Sequence, residues 1–272
     1  MARTFTDRPV AGRTPTTVEF GTAAETAQAV SREGGHELRR RTPDLAISGL
    51  IAGLDIGFGP LAMAFVAGHL AGHVDPGVAF LVGALLYPIG FTFVVLGRSE
   101  LFTEQTLTPV VALFAGKGSL RNLLRYWAVV FLANQVGVAL FALGLANGGP
   151  IVADYLPLYD ETAQKLLAPD FRYVVLSAVA AGWVIAILGW LIEVVDSSIA
   201  RILCIWVASI FIVLGPLHHS IVGSGEVLVA VFHGQATAAD WLLRFVVPAT
   251  LGNIVGGVVF VSGLKWAQTQ SA

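Results

Sequence analysis

Residues 99–111 read SELFTEQTLTPVV. An apolar run from Gly77 to Gly97 precedes them, and the chain turns apolar again over 107–116. Two carboxylates, Glu100 and Glu104, and a cluster of hydroxyls thus interrupt a segment of membrane-spanning character. Irregular polar backbone at membrane depth persists only where it is buried in protein or lines a wet cavity, because hydrocarbon leaves its N–H and C=O groups unpaired. Ser99, Glu100, Thr103, Glu104, Gln105 and Thr106 are candidates to line such a place. Thr108-Pro109 reads as a helix restart, with Thr as N-cap and Pro at the first helical position.

The rest of the chain agrees with a membrane setting. Its 272 residues are 56% hydrophobic and 12% charged, with a mean hydropathy of +0.76. Soluble domains carry about 25% charged residues. Uncharged stretches of about 20 residues match the hydrocarbon thickness of a bilayer when helical. They fall at 45–70, 77–97, 123–146, 171–192, 202–217 (resuming at 227–232) and 241–264, which predicts six spans with the second and fifth broken. Arg39, Arg40 and Arg41, then Lys117, Arg121 and Arg125, then Arg201 and Lys265 all fall on one side of such a weave, the cytoplasmic side by the positive-inside rule. The expected arrangement is a cytoplasmic N-terminal tail over 1–44, disordered to about 28, a transmembrane domain over 45–265 and a cytoplasmic tail over 266–272. The N-terminal residues lack the apolar core of a signal peptide. The lone Cys204 excludes an internal disulfide.

The second break is GPLHHSIVGSGEV, residues 215–227. Gly215-Pro216 ends a half-helix. Ser224, in a Gly-Ser-Gly turn, is a plausible cap for the next. His218, His219 and Ser220 lie between. The stretches LANQVGVALFALGL (132–145) and LGNIVGGVVFVSGL (251–264) align without a gap, pairing Asn134 with Asn253 and Gly137 with Gly256. Span 3 then repeats as span 6, and a three-span repeat is inverted. Interrupted spans at matching places of inverted repeats point to a midplane binding site or pore.

Ionisable residues inside a membrane are functional by default, which singles out His219 and, more weakly, His218. Glu100 reads as a loop-shaping carboxylate that accepts backbone N–H bonds. Glu104 is expected near the cytoplasmic mouth. Glu226 belongs in the first turn of a half-helix or at the outer vestibule. Asn134 and Asn253 read as interhelical hydrogen-bonding residues beside glycines that permit close packing.

LFT at 101–103, RYWAVVFLANQVGVAL in span 3, HHSI in the second break and LGNIVGG in span 6 together resemble the formate/nitrite transporter family. The resemblance covers about 45–265. It implies homopentamers with one aquaporin-like pore per protomer, cytoplasmic termini and passage of small monovalent anions or their weak acids. It maps the family's central histidine on to His219 and its loop threonine on to Thr103, with Leu101 and Phe102 shaping the loop. It makes Lys165 the nearest match to a lysine that draws anions to the outer vestibule. Three positions depart from the family pattern. His218 stands where many members have Glu, Gly223 where many have Asn, and Glu104 where a small residue is usual. Two extra carboxylates, Glu104 and Glu226, mark a divergent branch.

The expected function is therefore a plasma-membrane channel or transporter in which a weak acid passes His219 with a proton, and Thr103 or Ser220 bonds the substrate or fixes the histidine tautomer. A neutral-solute channel on the same architecture and a non-transporting sensor are the alternatives. An intramembrane enzyme is disfavoured, since neither an HExxH helix nor a GxSxG elbow is present. No cofactor, metal or nucleic acid is expected.

Overall fold

The computed structural model describes residues 22–270. Among them all regular structure is helical. Five helices are long and apolar enough to cross a bilayer: Thr42–Leu70, Pro76–Gly97, Leu120–Ala146, Phe171–Val194 and Asp240–Gln270. Two shorter apolar helices, Ser198–Leu214 and Val222–Phe232, stand between the fourth and the fifth. The outward faces of these seven apolar helices carry large apolar side chains such as Leu132, Leu176 and Val207. Bare hydrocarbon on this scale suits lipid or a neighbouring subunit rather than water.

Helix α1 (Ala23–Glu37) lies where an unstructured tail is expected. The expected disorder over 1–28 is thus replaced by helix from Ala23, and 1–21 fall outside the described residues. A capping box starts α1. Thr22 Oγ1 accepts from the Glu25 backbone at 3.2 Å, and the Glu25 carboxylate accepts from the Thr22 backbone at 2.7 Å. Ala27 and Val30 then bury against Leu107, Val111, Ala186, Trp190 and Val261. The amphipathic helix needs that apolar floor to be stable, so the first break supplies part of its footing.

The first crossing is α2 (Thr42–Ile56) and α3 (Phe58–Leu70), jointed at Gly57, where the Phe141 ring occupies the place of a Cβ. The second is α4 (Pro76–Ala84) and α5 (Pro88–Gly97). Asp75 caps α4 at Gly77 N, 2.8 Å away, and Pro88 removes a donor between the two halves. Arg98, in the left-handed region at φ 55°, stops α5. After the break, α6 (Thr108–Phe114) makes two turns. Next come α7 (Leu120–Ala146), α8 (Leu156–Leu167), α9 (Phe171–Val194), α10 (Ser198–Leu214) and α11 (Val222–Phe232). The closing helix contains α12 (Val247–Val255) and α13 (Leu264–Gln270), with π-helical windings at Asp240–Val246 and Gly256–Gly263. It runs past residue 265, the expected end of the membrane domain.

Two helix pairs pack at near-backbone contact. A Cβ on Gly53 of α2 would lie 2.9 Å from Gly137 Cα of α7, and one on Gly182 of α9 would lie 2.6 Å from Asn253 Cα of α12. Such closeness is open only to small residues. It delivers Asn134 and Asn253, each fully buried, to the edges of the two breaks.

Candidate functional site

Both breaks are irregular backbone inside the helical body, so their polar groups need partners. In the first, Asn134 supplies them. Its Oδ1 accepts from Phe102 N at 2.8 Å, and its Nδ2 donates to the carbonyls of Glu100 at 2.8 Å and Gly49 at 2.7 Å. In the second, Asn253 does the same. Its Oδ1 accepts from Ser220 N at 2.8 Å, and its Nδ2 donates to the carbonyls of His218 at 3.0 Å and Ala178 at 2.8 Å. Each amide thus ties one loop N–H, one loop carbonyl and one carbonyl of a neighbouring long helix.

So held, the loops meet at one contact. Thr103 Oγ1 and His219 Nε2 lie 2.7 Å apart, and both residues are buried. His219 Nδ1 faces the backbone N–H groups of Ile221 at 3.4 Å and Val222 at 3.2 Å. Those groups can only donate, so Nδ1 is the acceptor and the ring hydrogen sits on Nε2, donated to Thr103. The histidine is therefore the side chain that caps α11. Ser224 lies within that helix and is not its cap; its hydroxyl donates to Gln135 Oε1 at 2.6 Å and accepts from Trp241 Nε1 at 2.7 Å. Thr108 is likewise no cap. It is the first residue of α6, and its hydroxyl bonds the Gln105 side chain at 2.9 Å. Phe91 presents an edge contact to the His219 ring at a centroid distance of 5.4 Å. Phe102 packs on Phe131 at 5.0 Å, which fixes the loop wall beside Leu101.

Glu100 is not held by loop N–H groups as expected. Its carboxylate accepts from Arg40 and from the Tyr126 hydroxyl. Arg40 also bonds Glu37 at 2.7 Å, so the chain Glu37–Arg40–Glu100–Tyr126 joins α1 to the first break. His218 is fully bonded as well, with Nδ1 2.9 Å from Ser177 Oγ and Nε2 3.0 Å from the Leu166 carbonyl. It fastens the second break to α9 and α8. Ser220 Oγ is buried with no hydrogen-bond partner.

A model of the formate/nitrite transporter family matches residues 24–267. The chain belongs to the formate/nitrite transporter family. An inner membrane protein of Escherichia coli, YfdC, is 30% identical over 255 residues, covering 89% of this chain and 77% of that protein. A formate channel of Bacillus thuringiensis is 30% identical over 245 residues, covering 89% and 93%. A probable formate transporter of Methanothermobacter thermautotrophicus is 29% identical over 266 residues, covering 91% and 96%. Among solved structures, an FNT family ion channel shares the fold with a TM-score of 0.79 at 22% identity, over 90% of this chain and 98% of that one. A pentameric formate channel with formate bound shares it at 0.69 and 20% identity, over 84% and 97%. The family is one of transporters and channels rather than enzymes.

The remaining expected residues of this transporter-family chain are more dispersed. Glu104 opens a single 3₁₀ turn and is partly buried, with its Cγ against Gly189 and Glu193 within electrostatic reach. Glu226 is the fifth residue of α11, beyond its first turn. Lys165 is exposed on α8 and ion-paired to Glu161 at 2.7 Å. Gly223 packs against the ring of Phe245. Sequence reasoning missed Ser177, Gln135, Tyr126 and Arg40 as partners of the breaks. Only Gln135 carried a signal, as a second amide beside Asn134 in the otherwise apolar stretch 127–146 of α7.

Proposed function

We propose that the chain is a plasma-membrane channel or transporter for small monovalent anions or their weak acids, with proton-linked passage at the Thr103–His219 contact. The observation that carries this reading is the 2.7 Å bond itself, which joins two helix breaks 116 residues apart. The relatives named for formate support formate as the first solute to test.

In the same reading α10 and α11 form the two halves of a further crossing, which makes six. The matched bonding of Asn134 and Asn253 supports an inverted, aquaporin-like 3+3 repeat. Six crossings put both termini on one side, and the arginines around residue 40 support the cytoplasm. The pentameric channel of the same fold supports a homopentamer.

Passage follows from the donors at the contact. Thr103 accepts from His219, so its own hydroxyl hydrogen is free to bond an oxygen of the solute. An ion far from water is costly, whereas its neutral acid is not. The anion therefore crosses paired with a proton. With Nδ1 engaged by two N–H groups, His219 orients Thr103 and water supplies the proton. Leu101, Phe102 and Ser220 complete the wall, and Glu104 lies on the cytoplasmic approach.

The test is flux into liposomes of formate, nitrite, lactate, hydrosulfide and glycerol at about pH 5.5 and 7.5, on either side of the ordinary histidine range, beside His219→Asn. Acid-stimulated flux of one weak acid, altered in the variant, is the expected result. Passage of no acid by either protein refutes it. The pairing of Lys165 with Glu161 favours a neutral-solute channel as second reading, and flux indifferent to pH and to His219→Asn would establish that one.

A further inference from the structure

Glu226 is the fifth residue of α11, seven residues beyond His219 in the preceding loop. Among the described residues its carboxyl group takes part in no hydrogen bond or ion pair. It lines a small cavity whose other walls include Ile56, Pro60, Val138 and Phe141, together with Tyr159 from α8. Tyr159 is 5% exposed, and its hydroxyl is buried without a partner. Tyr87, just before α5, is the other titratable group within electrostatic reach of Glu226. Tyr87 also packs beside Phe91 at 6.2 Å, and Phe91 touches His219. Ring contacts thus run from the His219 ring through Phe91 to Tyr87.

Buried polar groups almost always have partners, and the Tyr159 hydroxyl is an exception. The partly buried Glu226 carboxyl, also without a protein partner, shares its apolar cavity, and the pair describes a place completed by a polar guest. We propose that Glu226 and Tyr159 form a hydrogen-bonding subsite for a small weak acid, in which Glu226 hands its proton to the arriving anion. The O–H bond of the Glu226 carboxyl breaks, and a new O–H bond forms on the anion. The electron pair stays on Glu226 as carboxylate, and Tyr159 donates to the oxygens left charged. Hydronium from bulk solvent then returns a proton to Glu226 and is left as water. His219 cannot take this role, because its ring hydrogen is given to Thr103 and its other nitrogen already faces two N–H groups. The inference rests on the transport reading above and refines its proton source.

The test uses the full chain in liposomes, with formate and nitrite uptake measured at about pH 5.5 and 7.5 and glycerol uptake as the control for leak. Glu226→Gln keeps the shape and the hydrogen bonding but cannot transfer a proton. It is expected to lose the acid-stimulated component of uptake. Tyr159→Phe is expected to raise the half-saturating formate concentration several-fold while keeping the pH response. If the wild type takes up weak acid and both variants match it in pH response and half-saturation, the subsite is refuted while the transport reading stands. If the wild type takes up neither acid, the transport reading falls and the subsite with it. Should Glu226→Gln fail to fold, Tyr159→Phe decides alone.

Discussion

Replacing Asn134 by Leu keeps a similar volume and removes three hydrogen bonds of 2.7–2.8 Å. The Gly49 carbonyl lies within α2 and keeps its place in the helix ladder. The Phe102 N–H and the Glu100 carbonyl have no second partner among the described residues. Each orphaned buried group costs about 1–3 kcal/mol by the values for soluble proteins. Hydrogen bonds between membrane helices average about 0.6 kcal/mol, with a maximum near 1.7, because the unfolded state in lipid also finds partners. The loop groups are buried in protein, which places the total between those limits, at about 2–4 kcal/mol. At about 2–4 °C per kcal/mol for a chain of this size, the apparent melting temperature of the detergent-purified protein falls by about 5–15 °C. Asn253→Leu falls by a similar amount, since Ser220 N and the His218 carbonyl are held in the same way. Flux falls in both, because Thr103 and His219 lose their register. Melting of either variant within about 2 °C of wild type, with flux unchanged, would show that the two amides do not anchor the breaks.

Thr103→Val leaves the His219 Nε2–H without its acceptor and lowers flux about tenfold or more, as loss of about 1.4 kcal/mol implies; Thr103→Ser keeps the acceptor and stays within about threefold in the same liposome assay. Arg40→Gln strands the Glu100 carboxylate and destabilises by about 3 kcal/mol, whereas adding Glu100→Gln recovers much of the loss in thermal melts. Lys165→Ala changes formate flux by less than about twofold, because its exposed pair with Glu161 contributes little. The Glu25 carboxyl titrates below its ordinary value because the Thr22 backbone N–H, and then its hydroxyl, bond the charged form. Its contribution to the start of α1 is therefore complete above the unfolded value near 4.3 and fades as pH falls through the lowered folded value. Amide hydrogen exchange at Glu25 and Thr26 should quicken over that acid range, and exchange indifferent to pH there, after correction for intrinsic rates, would contradict the capping box.

The apolar spans and their two breaks were legible because lipid imposes a strong, local constraint on composition. The fit of Asn134 to Asn253 was legible for a related reason, since amides stand out among Leu and Val. The partner of Glu100 was not. Arg40 lies 60 residues away, and its position among three arginines reads as a topology signal alone. The caps of α6 and α11 were misassigned to Thr108 and Ser224 because local rules favour hydroxyls at such places. At α11 a ring nitrogen from the preceding loop took the cap, and the hydroxyl of Ser224 turned to Gln135 and Trp241 instead. Helix α1 was read as a tail because its apolar face is narrow and its footing comes from α6, α9 and the closing helix. Lys165 was legible as a charge, but its partner Glu161 one turn earlier was left out of the account.

The ring of Phe245 fills the place where a side chain at Gly223 would begin. An Asn at 223, common in the resembling family, therefore meets an aromatic wall in this chain. A larger residue at 223 therefore requires the Phe245 ring to move or to be replaced by a smaller side chain. A paired library at 223 and 245 thus opens alternatives that a single-residue screen at 223 reaches only where that ring gives way.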